Sequence, residues 1–201
     1  MRAFWICPIL LMAAGLILAD KKSDSKFSPG PASSYPAKQT NDKVTVAVVA
    51  YDTEELAHTA FGKLNPNQYG VLPVLVIIQN DTDQALRLDR IEVEYTGVDN
   101  RHVEATPATD IQTLGGPPRT PSMPSGSPLP PLRKHKNPLS AWEIEGRAFS
   151  AKMLPAHESA NGFFYFQASH RPGSRFYLTG VKVASTGQDI LFFDIPFEAG
   201  H

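Results

Sequence analysis

Residues 71 to 79 read VLPVLVIIQ and are apolar at every position before the closing glutamine. A β-branched run of this kind reads as a strand, and a strand with no polar face must be covered on both sides. The chain therefore needs at least two layers here. Residues 53 to 66 folding back over the sheet, or a partner, are the expected cover.

The flanking sequence supplies more strands. Val44, Val46 and Val48 alternate with Thr45 and Ala47 up to Tyr51, and Asp52-Thr53-Glu54-Glu55 then resembles a capping box. Leu56, Ala57, Ala60 and Phe61 follow at helical spacing, so two turns of helix stopped by Gly62 are expected. Further on, Leu86 and Leu88 are apolar at even numbers but Ile91, Val93 and Tyr95 at odd ones, a phase slip that a β-bulge at Asp89-Arg90 would absorb. Gly97-Val98-Asp99-Asn100-Arg101 reads as a hairpin tip with Asn100 left-handed, which sets Tyr95 opposite Val103 and Val93 opposite Ala105. Ser140-Ala141-Trp142-Glu143 offers a second capping box, and Ala141, Ile144, Ala148 and Ala151 predict a helix to about Lys152 before Pro155. Finally, GFFYFQA (162–168), RFYLTGVKV (175–183) and ILFFDIPF (190–197) read as three strands of an antiparallel meander.

The N-terminus reads as an export signal. Residues 1–19 (MRAFWICPILLMAAGLILA) combine Arg2, an apolar run of roughly 16 residues and a polar Asp20-Lys21-Lys22 flank. That is short of the roughly 20 residues a spanning helix uses. Ala19 fits the cut, while Ile17 is large for the position two before it, so an uncleaved anchor stays open as the one route to a membrane. The single cysteine, Cys7, lies inside this segment. A chain cut after Ala19 has no disulfide and no thiolate site, which suits a bacterial envelope, whether periplasmic, cell-surface or extracellular.

Residues 20–42 are rich in Ser, Pro, Lys and Asp and read as a flexible linker. Residues 43–201 read as one domain with a disordered proline-rich insertion at 115–138, which holds eight of the 18 prolines. With 19 Lys and Arg against 20 Asp and Glu, the net charge of −1 offers no surplus to neutralise nucleic-acid phosphates. Seven or so short strands, one or two short helices and the long Pro-rich loop predict a mainly β fold, a two-sheet antiparallel sandwich.

Met153-Leu154-Pro155, Gly162-Phe163-Phe164-Tyr165-Phe166, Tyr177-Leu178 and Phe193-Asp194-Ile195-Pro196 together resemble the C-terminal part of uncharacterised exported bacterial proteins with an immunoglobulin-like β-sandwich. Pro155 is followed here by Ala156 instead of the glycine common in that pattern. The resemblance covers about 45 residues and implies an immunoglobulin-like antiparallel sandwich; it brings no catalytic residue with it.

Little in the sequence points to chemistry. There is no G-x-S-x-G, no H-E-x-x-H and no phosphate-cradling glycine loop. Asn80-Asp81-Thr82 is a sequon, and His58, His102, His135, His157, His170 and His201 follow no ligand spacing. The hairpin register sets Glu94 directly against Glu104 with His102 beside them, opposite Thr96. Facing like charges destabilise a sheet unless something neutralises them, so Glu94, His102 and Glu104 form a candidate cation site that Arg90, Arg101 or water could replace. No cofactor is implied. Pro128-Leu129-Pro130-Pro131-Leu132-Arg133 fits a polyproline ligand pattern, and Arg133-Lys134-His135-Lys136 is basic enough to touch anionic polymer. The functional expectation is an exported non-catalytic module that contacts an envelope protein or polysaccharide. The alternatives are an envelope-accessory enzyme, marked by a pocket of buried carboxylates with His58 or His157, and a carrier of a small apolar ligand, marked by a closed apolar cavity.

Overall fold

A computed structural model describes residues 27–114, 137–190 and 192–197. Eleven strands and three α-helices follow one another as β1 (Lys38–Asn41), β2 (Val44–Ala50), α1 (Glu54–Phe61), β3 (Leu72–Asn80), β4 (Leu86–Arg87), β5 (Glu92–Thr96), β6 (His102–Glu104), α2 (Ala108–Leu114), α3 (Trp142–Gly146), β7 (Met153–Leu154), β8 (Ser159–Phe166), β9 (Arg175–Thr179), β10 (Lys182–Val183) and β11 (Phe193–Pro196). They form three antiparallel sheets, ordered β1-β2-β3-β8, β10-β4-β7 and β11-β9-β5-β6. The protein is mainly β and layered as a sandwich.

Strand β3 is buried on both faces, and alternation explains what covers each. Leu72, Val74, Val76 and Ile78 enter a core shared with Val93, Tyr95, Phe176, Leu178, Phe193 and Ile195 of the facing sheet. Leu75 and Ile77 point the other way, into a second cluster with Ala60 and Phe61 of α1, Ile111 of α2, Ile144 of α3 and Leu139 just before α3. Each such side chain contributes about 2 kcal/mol when fully withdrawn from water. The cover expected from residues 53–66 is present in α1, whose N-cap Thr53 accepts from Leu56 N and whose stop, Gly62, has φ 64°. Residues 108–114 and 137–146 complete that layer.

Four expectations need correction. The linker read over 20–42 is folded from Phe27 on; residues 20–26 lie outside the described residues, as do the signal peptide at 1–19 and residues 115–136 of the proline-rich insertion. Strand β1 pairs with β2 through a two-residue turn, in which Asp42 and Lys43 both have positive φ (47° and 61°). Phe27 packs 5.5 Å from the Phe163 ring and Ala32 is buried. Isolated apolar residues in a polar stretch gave no period, yet each finds a site on the helical layer.

The phase slip at Asp89-Arg90 is a change of sheet, not a bulge. Strand β4 pairs with β7 and β10, and β5 pairs with β6 and β9. The C-terminal meander is likewise divided: β8 lies in the first sheet, while β9 and β11 pair in the other. The helix expected to run to Lys152 stops at Gly146, because Phe163 takes over the backbone beyond it. Phe163 N donates to Arg147 O (2.8 Å) and Phe149 N to Phe163 O (3.0 Å). Its cap is Ala141, which offers no side-chain hydrogen bond.

Candidate functional site

The β5–β6 hairpin has the register its sequence dictates, with Glu94 opposite Glu104, Tyr95 opposite Val103 and Thr96 opposite His102. Gly97 N donates to Arg101 O (2.9 Å) and Asn100 is left-handed at φ 57°. The Asp99 carboxylate braces the tip, accepting from Arg101 N (3.3 Å) and lying 3.4 Å from Arg101 Nε.

Across from this tip lies the 167–174 loop, held to it by one buried hydroxyl. Tyr95 OH donates to Ser174 Oγ (2.7 Å), and Ser174 Oγ donates to Arg171 O (2.7 Å). Arg171 N donates to Tyr95 OH (3.4 Å), and His170 Nδ1 lies 3.2 Å from the same oxygen. Since the single hydroxyl proton of Tyr95 goes to Ser174, His170 donates through Nδ1. Ser174 and His170 thus meet on one tyrosine, but Ser174 is wholly buried and its hydroxyl is spent. This is an anchor rather than a nucleophile. In the sequence His170-Arg171-Pro172-Gly173-Ser174 carries only the signal of a turn between two strands, and the phase of Tyr95 marks it as inward-facing without naming its partner.

Between tip and loop lies an open hollow of about 220 Å³, lined by Val98, Val103 and Ala168 with Arg101 and Arg171 among its polar groups. Arg101 is matched by Asp99; Arg171 has no carboxylate partner among the described residues.

Burial against the Phe197 ring (4.9 Å) and Tyr95 pushes the His170 imidazole below its ordinary value of 6.5, with Asp52 opposing. The unfolded chain therefore takes up this proton first. The stabilisation is fully present above about pH 6.5 and is lost as pH falls through the lowered folded value. Melting followed from pH 7.5 down to 5 should fall more steeply for the wild type than for His170→Gln; parallel curves would remove His170 from the acid response.

The three residues of the candidate cation site are adjacent but do not converge. His102 Nδ1 lies 3.2 Å from Glu94 Oε2 and 3.3 Å from Thr96 Oγ1, whereas Glu104 has no hydrogen-bond or ion-pair partner among the described residues. Among those residues no group of three or more His, Cys, Asp or Glu is placed to hold a metal ion. A second hollow of about 370 Å³ runs beside Glu92, Glu94 and Glu104 over Phe164.

The histidines named for an enzyme pocket stand elsewhere. His58 sits 3.7 Å from Glu54 on the exposed side of α1, and His157 sits 3.1 Å from Asp83 in an exposed turn. The sequon asparagine, Asn80, is fully buried. Its side chain donates to Gln84 O, Leu154 O and Pro155 O and accepts from Thr82, so nothing remains for a glycan. The Pro128–Arg133 and Arg133–Lys136 motifs lie outside the described residues.

On the opposite side, beneath the N-terminal segment, Arg147 stacks its guanidinium 4.8 Å over the Phe27 ring. Burial lowers its pKa against the pull of Glu143, and its buried Nη1 has no partner among the described residues. Nearby, burial and Tyr35 push the Tyr51 phenol up to about 12 against the pull of Arg147, and burial raises Tyr165, whose hydroxyl donates to Ile144 O (2.7 Å). These groups tie Phe27 and Tyr35 to the helical layer.

Among the described residues no helix is long and apolar enough to cross a membrane. No family model matches the chain, and no curated protein matches its sequence. Among solved structures, Northeast Structural Genomics Consortium target SoR45 is similar over 81% of this chain and 98% of its own, at 12% identity and a TM-score of 0.35. A functionally unknown protein from Listeria monocytogenes EGD-e is similar over 81% of this chain and 82% of its own, at 14% identity and a TM-score of 0.36. At such scores neither likeness carries an argument about fold or function.

Proposed function

We propose that the chain is an exported, non-catalytic β-sandwich module, immunoglobulin-like in kind, that works by contact with a protein or polymer of the cell envelope. The observation that carries this reading is the open hollow between the 97–101 tip and the 167–174 loop. Its walls are set by main-chain register and by the Tyr95 anchor, so the surface is preformed. Its groups suit contact: apolar Val98, Val103 and Ala168, with the cation of Arg171 available. At about 220 Å³ it takes one side chain or one sugar ring, the scale of a protruding partner group and below that of most enclosed small-molecule sites. The immunoglobulin-like kinship rests on the C-terminal motifs, with support from two antiparallel sheets sharing one core and from a tyrosine hydroxyl that fastens a loop to the sheet. Export rests on residues 1–19 and the confinement of cysteine to them.

A photo-reactive residue placed at Val98 in the full chain, in producing cells, should cross-link one discrete envelope component. The same residue at Glu55, on the exposed side of α1, should not, and Arg171→Ala should cut the Val98 product at least fivefold. Equal labelling from Val98 and Glu55 would overturn the reading.

A further inference from the structure

The two larger sheets have four edges, and three are occupied. Strand β8 is closed by Thr106 N on Tyr165 O (2.7 Å) and by residues 147–149 at Phe163. Strands β1 and β11 close one another: Asn41 Nδ2 donates to Phe192 O (2.8 Å), and Asp194 N donates to Gln39 Oε1 (2.8 Å). The edge of β6 is open.

Hydrogen-bond phase decides which groups it presents. Gly97 N bonds Arg101 O and Ala105 N bonds Val93 O, so the odd-numbered residues of β6 turn their main chain toward β5. His102 and Glu104 turn theirs outward, and those four N–H and C=O groups have no partner among the described residues. An edge meant to stay single is normally guarded by like charges, a proline or a bulge. This one carries one histidine and one glutamate, two residues apart.

We infer that β6 pairs with β6 of a second copy of this chain, antiparallel, about a two-fold axis through Val103. In that register His102 lies opposite the other copy's glutamate, Glu104 opposite its histidine, and valine opposite valine. The outward main-chain groups of His102 and Glu104 then form two hydrogen-bonded pairs, four bonds in all, and the sheet runs continuously through both copies. The charges fit as the main chain does. With both ring nitrogens protonated, His102 gives Nδ1–H to Glu94 and has Nε2–H left to donate, while Glu104, pressed against Glu94 within its own chain, gains the counter-charge it lacks. The contact is isologous and closes on itself, so it yields a dimer and no fibre. Three paired residues a side make a weak, transient association. This inference does not depend on the envelope reading.

The full chain in detergent, taken to several hundred micromolar in sedimentation equilibrium, should show a monomer–dimer equilibrium. His102→Glu sets glutamates opposite each other and should raise the dissociation constant at least tenfold; adding Glu104→His should restore it to within about threefold of wild type. Both variants should melt within a few degrees of wild type, since the side chains are exposed. In cells, Val103→Cys should yield a disulfide-linked dimer that the unsubstituted chain, with Cys7 alone, does not. A chain that stays monomeric throughout, a dimer indifferent to His102→Glu, or a Val103→Cys variant with no added cross-link overturns the proposal. Cross-linking of β6 to a different protein overturns it too.

Discussion

Replacing Asn80 by aspartate lowers the free energy of unfolding by about 3 to 5 kcal/mol, with a correspondingly earlier urea midpoint. Asparagine is needed for its donors. Asn80 is fully buried at the end of β3, and its Nδ2 reaches Gln84 O (2.8 Å), Pro155 O (2.9 Å) and Leu154 O (3.4 Å). Its Oδ1 accepts from Thr82 N (3.1 Å) and Thr82 Oγ1 (2.7 Å). One side chain thus ties β3 to the 82–84 turn and to the end of β7, elements of two sheets. Aspartate has the same shape but no donor, and it presents an oxygen to three carbonyl oxygens. Gln84 O keeps its bond from Thr82 Oγ1 (2.9 Å), but each hydrogen bond lost from Nδ2 costs about 0.5 to 1.5 kcal/mol, and the carboxylate must be buried or neutralised besides. Asn80→Leu keeps the branched heavy-atom skeleton, removes every polar contact of the side chain and should fall between wild type and Asn80→Asp. A loss under 1 kcal/mol in Asn80→Asp would mean that the cross-sheet link contributes nothing.

Asn80 also shows where the sequence was legible and where it was not. Its place at the end of an apolar run, before Asp81-Thr82-Asp83, marks a turn, and the turn is there. That its side chain closes a contact with residues 154 and 155 cannot be read locally. The β5–β6 hairpin lies at the readable extreme, since tip chemistry and alternation fix the same register. Strand β3 is readable as doubly covered, because no polar face is left to expose. Residues 27–41 are unreadable for the opposite reason: Phe27, Ala32 and Tyr35 follow no period, and their burial depends on distant partners, Tyr51 and Phe163 for Phe27 and strands β2 and β3 for Ala32. The candidate site divides in the same way. Glu94, His102 and Glu104 share a face because hairpin pairing is local, while the Tyr95–His170–Ser174 anchor spans more than 70 residues and depends on how the sheets stack.

Replacing Gly180 by alanine has the other large effect, a loss of about 3 kcal/mol or more, and it would expose the joint by which strands change sheets. Two strands leave one sheet for another at the same level: the chain passes from β4 to β5 through Asp89-Arg90, and from β9 to β10 through Gly180. The two crossings touch. Gly180 has φ 83°, where an L side chain is strained by about 1 to 2 kcal/mol, and a Cβ there would run into the carbonyl of Arg90 and crowd Ile91 Cα. The obstacle is main chain, so no rotamer change relieves it. In sequence, Gly180 is one residue inside an apolar run that reads as a single strand, and Asp89-Arg90 reads as a slip of phase. Each sign is weak alone, and together they place one close crossing. Gly187→Ala is the control, since Gly187 also has positive φ (72°) but no atom within 4 Å of an added Cβ. It should cost only the backbone strain, about 1 to 2 kcal/mol, in the same urea titration. Equal losses for the two variants would mean that left-handed strain alone sets the requirement and that the crossing tolerates a methyl group.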